Sequence, residues 1–244
     1  MLKVLIPILF VLFPIGTLAQ DFEKGLAAAQ TGDFVTALNE WMPLANQGDA
    51  TAQVNIGIMY SNGQGVLKNN AEAVRWYRLA AYQGNADAQV NLGSMYEFGQ
   101  GVQKDYGKAE HWFRLAADQG NPRAQLHVGF MYEFGQGVLK DYAEAARWYR
   151  LAAEQGNANA QVNLGFMYEF GQGVQEDETE AVRWFRLAAD QGDPRAQLHV
   201  GFMYEFGQGV LKDYAEAARW YRLSAEQGNA VSYTHLTLPT TAYV

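Results

Sequence analysis

The side chains in this chain that could do chemistry are few, and they recur. His127 and His199 hold the same place in two near-identical stretches, and Asn55, Asn91 and Asn163 hold it elsewhere. Imidazole can ligate a metal or carry a proton near neutral pH. Asn replaces it here with similar size and hydrogen-bonding capacity, so the position reads as a polar groove position. No His-Glu-x-x-His or comparable ligand spacing accompanies it. Glu97, Glu133, Glu169 and Glu205 recur close downstream. Two facing carboxylates can share acid and base roles. Carboxylates that repeat with a fixed period instead form a row, either solvated or placed to clamp basic groups. The chain has no cysteine, which removes disulfides, thiolate metal sites and a thiol nucleophile. None of Ser61, Ser94, Ser224 and Ser232 has Lys three residues on, so the Ser-x-x-Lys acylation pattern is missing. The recurring Gly-Gln-Gly-Val lacks the Lys-Ser/Thr and the preceding strand of a phosphate loop. No catalytic, cofactor or metal residue is assigned.

These positions sit in a unit that restarts at Ala52, Ala88, Ala124, Ala160 and Ala196, a period of 36 residues. A fixed period of that size marks a stack of supersecondary units. Each unit reads as two helices. Asn121 can cap the first, with Pro122 at its opening position. Ala124, Val128 and Met131/Tyr132 share one face at helical spacing. Gly135 suits a left-handed stop, and Gly137 keeps the link tight. Asp141 begins the second helix with Glu144 three residues on, a capping-box pattern. Ala145, Trp148, Tyr149 and Ala152 form its apolar stripe, and Gly156 ends it. Each helix should be about 13–15 residues, roughly 20 Å long. Gly57, Gly93, Gly129, Gly165 and Gly201 fall inside the first helices, where Gly costs about 1 kcal/mol against Ala. Their recurrence predicts a crossing too close for a side chain. Trp41, Trp76, Trp112, Trp148, Trp184 and Trp220 mark the units and read as packing residues rather than a ligand-stacking ladder.

The pattern A-x-x-x-[VL]-G-x-x-Y-x-x-G-x-G-V-x-x-D-x-x-x-A-x-x-W-[YF]-x-x-A-A-x-Q-G resembles the Sel-1-like repeat, a relative of the tetratricopeptide repeat. Five copies cover residues 52–231: 52–87, 88–123, 124–159, 160–195 and 196–231. The resemblance implies an all-α fold, an α/α solenoid of stacked 36-residue helical hairpins, that binds proteins and carries no active site of its own. It also implies that the first helix of each pair lines a concave face. That face would offer Phe130 with Glu133, Phe166 with Glu169, and Phe202 with Glu205, near His127, Asn163 and His199. Ser94 stands in for the Phe beside Glu97. An aromatic next to a carboxylate suits a peptide or amphipathic helix with basic residues. The expected partners are proteins or peptides. A rival is a β-lactam hydrolase, an activity linked to a cysteine-rich branch of the same family. That branch has two Cys per repeat and this chain has none.

Residues 1–19 read as a signal peptide: Lys3, an apolar run broken by Pro7 and Pro14, then Thr17-Leu18-Ala19. The run is too short for the ~20 residues of a spanning helix. Cleavage at Ala19/Gln20 would place the chain in the periplasm or outside the cell, without stable membrane insertion. Residues 20–51 form a capping hairpin, Phe22–Gln30 and Phe34–Asn46, with Pro43 expected to kink the second helix. A net charge of −8 with scattered Lys and Arg argues against nucleic acid. Segments 124–159 and 196–231 differ only at Ala152/Ser224 and Asn159/Val231, so the duplicated unit reads as 72 residues. In the tail, 232–244, the helical pattern stops. Back-translated, Val231–Thr240 resembles a sequencing adaptor, so the tail reads as non-native or disordered.

Overall fold

The computed structural model describes residues 15–229, with side chains from Asp21 onward. The leader expected over 1–19 lies outside them apart from the backbone of 15–19, and the tail at 232–244 lies wholly outside. Twelve helices and no strands occur among the described residues: α1 (Ile15–Gln30), α2 (Phe34–Asn46), α3 (Ala50–Asn62), α4 (Asn70–Tyr82), α5 (Ala86–Phe98), α6 (Tyr106–Asp118), α7 (Pro122–Phe134), α8 (Tyr142–Glu154), α9 (Ala158–Phe170), α10 (Glu178–Asp190), α11 (Pro194–Phe206) and α12 (Tyr214–Glu226). The fold is an all-α solenoid of helical hairpins. The described residues divide into two compact units, 15–88 with 100–102 and 89–99 with 103–229.

The caps follow the sequence. Asn121 accepts from the Arg123 and Ala124 amides at the start of α7. Gly135 ends α7 at φ 68°, and its N–H donates to the Met131 carbonyl. Asp141 accepts from the Ala143 and Glu144 amides, but the second half of the expected capping box is absent. The Asp141 N–H donates instead to the Tyr132 carbonyl at 2.9 Å, tying the start of α8 to α7. Glu144 is thereby left to pair with Arg147 at 3.0 Å. Gly137 (φ 74°) lies so close to the Tyr106 carbonyl that a Cβ would overlap it. The link after α7 therefore rests on the start of α6, one repeat back.

The mid-helix glycines have a common explanation. A Cβ on Gly129 would come within 2.5 Å of the Tyr149 ring, and one on Gly165 within 2.8 Å of Phe185. Gly57, Gly93 and Gly201 face Tyr77, Phe113 and Tyr221 in the same way. The aromatic after each Trp thus lies flat on the glycine of its own hairpin. In the first hairpin Gly25 faces Trp41. Trp41 is 36 residues before Tyr77, not before Trp76, so it belongs to the glycine-facing position. Its indole N–H donates to the Phe22 carbonyl at 3.1 Å. α1 begins at Ile15 rather than at Phe22. Pro43 sits in the last turn of α2.

Between hairpins, Trp184 packs on Ala145, Tyr149 and Ala152, and Trp220 packs on Ala181, Phe185 and Ala188. These tryptophans are buried, in keeping with packing and not with a stacking ladder for ligands. A glutamine ladder accompanies them. Gln161 is buried, donates to the Ala153 carbonyl and accepts from Gln191. Gln125 and Gln197 repeat both bonds. Each Gln thereby links the end of the preceding helix to the end of the following one.

Candidate partner-binding face

In the second unit the sequence-derived site residues lie on α5, α7, α9 and α11, with His127, Asn163 and His199 near mid-helix and the Phe and Glu positions in the C-terminal halves. Phe130, Phe166 and Phe202 are half-buried and packed against their own hairpins. Phe130 meets Tyr149 edge-on at 5.7 Å, Phe166 meets Phe185 at 5.0 Å, and Phe202 meets Tyr221 at 5.6 Å. One turn later each stacks on a second ring, Phe134, Phe170 or Phe206. These outer rings are the exposed ones: Phe98 63%, Phe134 59%, Phe170 60% and Phe206 60%. Each of them sits beside the glycine that ends its helix, where sequence alone reads a helix stop and not a contact residue. The available signal was an aromatic recurring off the apolar stripe with the 36-residue period. In the first repeat Asn62 takes this place.

Behind the rings lie the four glutamates, in two kinds of setting. Tyr149 donates its hydroxyl to Glu133 at 2.5 Å, and Tyr221 donates to Glu205. Burial, followed by the hydrogen bond to the adjacent carboxylate, raises both phenol pKa values. Tyr77, in the first unit, is raised to about 12, chiefly by burial. At the positions that Tyr149 and Tyr221 hold relative to Glu133 and Glu205, Glu97 and Glu169 have Phe113 and Phe185, which carry no hydroxyl. One carboxylate oxygen of each is enclosed and has no protein hydrogen-bond donor. Desolvation raises the pKa of both; nearby Lys104 partly offsets this for Glu97, and Glu178 adds to it for Glu169.

The polar groove position changes in step. His127 stacks on Phe113, with centroids 4.3 Å apart and planes 2° apart. His199 stacks on Phe185 at 5.2 Å and meets Phe166 edge-on at 4.6 Å. Where the aromatic is Tyr149, Asn163 lies against its hydroxyl. His127 Nδ1 is 3.6 Å from Glu97, beyond hydrogen-bonding reach. Burial, and secondarily Arg123, lowers the His127 pKa to about 4; burial also lowers that of His199. Both imidazoles are therefore neutral at pH 7, and the His127–Glu97 contact is not an ion pair there.

Little in the described residues resembles reaction machinery. No group of three or more His, Asp or Glu is placed to hold a metal among them. An open cleft of about 450 Å³ between Arg150, Tyr168, Val174 and Asp177 is walled by loop carboxylates. In it the Arg150 guanidinium donates to the Tyr168 hydroxyl at 2.7 Å, an inter-repeat clamp that Arg114 and Tyr132 also make. No helix among the described residues is long and apolar enough to cross a membrane.

The Sel1 repeat model matches residues 50–85, 86–121, 122–157, 158–193 and 194–229. The chain belongs to the Sel1 repeat family. Proteins of this family are generally protein-interaction scaffolds. A protective antigen of uropathogenic Escherichia coli is 38% identical over 92% of this chain, with TM-score 0.85. The chain spans about half of that protein's length, 51%. A Sel1 repeat protein from Oxalobacter formigenes is 36% identical, with TM-score 0.81, covering 88% of this chain and 86% of its own. An immunity protein from Pseudomonas aeruginosa shares the fold at 20% identity, with TM-score 0.54, over 88% of this chain and 83% of its own. No curated protein matches the chain.

Proposed function

We propose that this Sel1 repeat protein is a non-enzymatic scaffold of the cell envelope that holds a protein partner on the first-helix face of its second unit. The supporting observation is the row of exposed phenylalanines, Phe98, Phe134, Phe170 and Phe206, one per repeat. Single exposed apolar residues are ordinary; a row repeated along one face is the mark of a contact surface. Phe130, Phe166 and Phe202 support those rings from behind. His127, Asn163 and His199, with Glu97 and Glu169, supply the polar contacts between them, while the carboxylates of Glu133 and Glu205 are engaged by Tyr149 and Tyr221. The partner is a protein or peptide and not a nucleic acid, in keeping with the net charge of −8.

The decisive variant is Phe134→Ala with Phe170→Ala and Phe206→Ala. Partners recovered with the wild-type chain should be lost from the variant, while its melting temperature moves by no more than a few degrees. Equal recovery by both would refute the assignment of this face. Export rests on the leader-like residues 1–19 and agrees with an antigen among the relatives. A reporter fused after Gln20 should appear outside the cytoplasm, and a fusion lacking 1–19 should not. No observation favours the hydrolase rival; nitrocefin turnover by the purified chain would revive it.

A further inference from the structure

We propose that Glu97 and Glu169 are two equivalent receptors for a lysine or arginine side chain of the bound partner, a role that Glu133 and Glu205 do not share. The inference rests on the partner-binding face above. It depends on a difference that the repeat pattern conceals. All four glutamates occupy one position of the repeat, and only two of them have a protein donor. The phenol of Tyr149 occupies Glu133 and that of Tyr221 occupies Glu205. The corresponding rings at Glu97 and Glu169 are Phe113 and Phe185, and an enclosed oxygen of each carboxylate is unmatched.

A desolvated carboxylate without a donor is costly, and a cation reaching it recovers more than one reaching a carboxylate already hydrogen-bonded. His127 does not fill the role, since at 3.6 Å and neutral it neither bonds Glu97 nor carries a charge. The Glu97 side chain keeps 15% of its surface open, so one edge of the carboxyl group can be approached from solvent. The exposed rings of Phe98 and Phe170 adjoin these glutamates in sequence. An arginine or lysine would lay its aliphatic stem on such a ring and its charged head on the carboxylate. The occupant is therefore a segment that alternates basic and apolar side chains, its basic residues received at every second repeat. The chain's net charge of −8 favours its approach.

The test uses the full chain and a synthetic peptide of alternating arginine and leucine, with binding read by fluorescence anisotropy. Glu97→Gln with Glu169→Gln should weaken binding about tenfold, and Glu133→Gln with Glu205→Gln should change it less than about twofold; tenfold corresponds to 1.4 kcal/mol. In the opposite direction, Tyr149→Phe with Tyr221→Phe frees the other two carboxylates and should tighten binding several-fold or add sites. Equal weakening by both glutamine pairs would show a general pull of negative charge and overturn the proposal. So would an unaffected Glu97→Gln/Glu169→Gln variant, or equally tight binding of a peptide with glutamate in place of arginine. If Phe134→Ala/Phe170→Ala/Phe206→Ala abolishes binding while Glu97→Gln/Glu169→Gln does not, the face stands and only the cation receptors fall.

Discussion

Hairpins 122–157 and 194–229 differ from hairpins 86–121 and 158–193 in what stands between helix and carboxylate. In the first pair Tyr149 and Tyr221 lie on Gly129 and Gly201 and donate to Glu133 and Glu205. In the second pair Phe113 and Phe185 lie on Gly93 and Gly165, a His stacks on each ring, and Glu97 and Glu169 are left without that donor. Packing therefore repeats every 36 residues and polar chemistry every 72. A ring flat on a glycine needs only shape, which Tyr and Phe share. The hydroxyl decides what the next polar groups can be, and Asn or His follows accordingly.

The largest expected effect tests the shared frame. Gly129→Leu and Gly165→Leu should each cost about 3 kcal/mol or more, because a side chain must displace a buried ring. Urea unfolding should give similar losses for the two. A loss confined to Gly129→Leu would mean that the Tyr149–Glu133 bond, and not the ring, fixes the crossing.

The hydroxyl itself is the next test. Tyr149→Phe should cost about 1–3 kcal/mol, since a hydrogen bond to a charged group is lost and the acceptor is left desolvated. Phe185→Tyr should be neutral or stabilising if the new phenol reaches Glu169. If Tyr149→Phe unfolds at the wild-type urea midpoint, the difference between the two hairpin types has no energetic content.

Acid should sharpen the contrast at the groove position. The folded pKa of His127 is about 4 against 6.5 for a free imidazole, with burial as the main cause and Arg123 as the lesser one. Between those values the unfolded chain binds the extra proton. Stability therefore rises with pH through the window and falls as pH drops from 6.5 toward 4. His127→Asn should remove about 1–2 kcal/mol of that loss, allowing for partial exposure of the ring. Glu97, with its raised pKa, acts in the opposite direction, so the His127→Asn difference is the informative quantity. Identical acid profiles for the two chains would remove His127 from the account.

The smallest effects lie where the hairpins agree. Glu144→Gln and Glu180→Gln remove exposed i,i+3 ion pairs with Arg147 and Arg183 while leaving each guanidinium over its Trp ring. Each should cost about 0.3–0.5 kcal/mol and vanish in high salt.

Sequence by itself determined the period, the helix type and almost every boundary, because caps, glycines and apolar spacing are local. Asn121, Pro122, Gly135 and Asp141 fix their helix ends through atoms only a few residues away. It also showed that a side chain is excluded at Gly129, but not that the Tyr149 ring excludes it. Tertiary structure decided which phenylalanine faces out. Phe130 and Phe134 are equally apolar, and only packing against Tyr149 draws the first inward. It decided too that the Asp141 N–H goes to Tyr132 rather than to Glu144. Above all it separated four glutamates that look alike as letters. Whether a carboxylate is occupied depends on a hydroxyl 16 residues away across a helix crossing, as for Tyr149 and Glu133, and no local pattern encodes that distance.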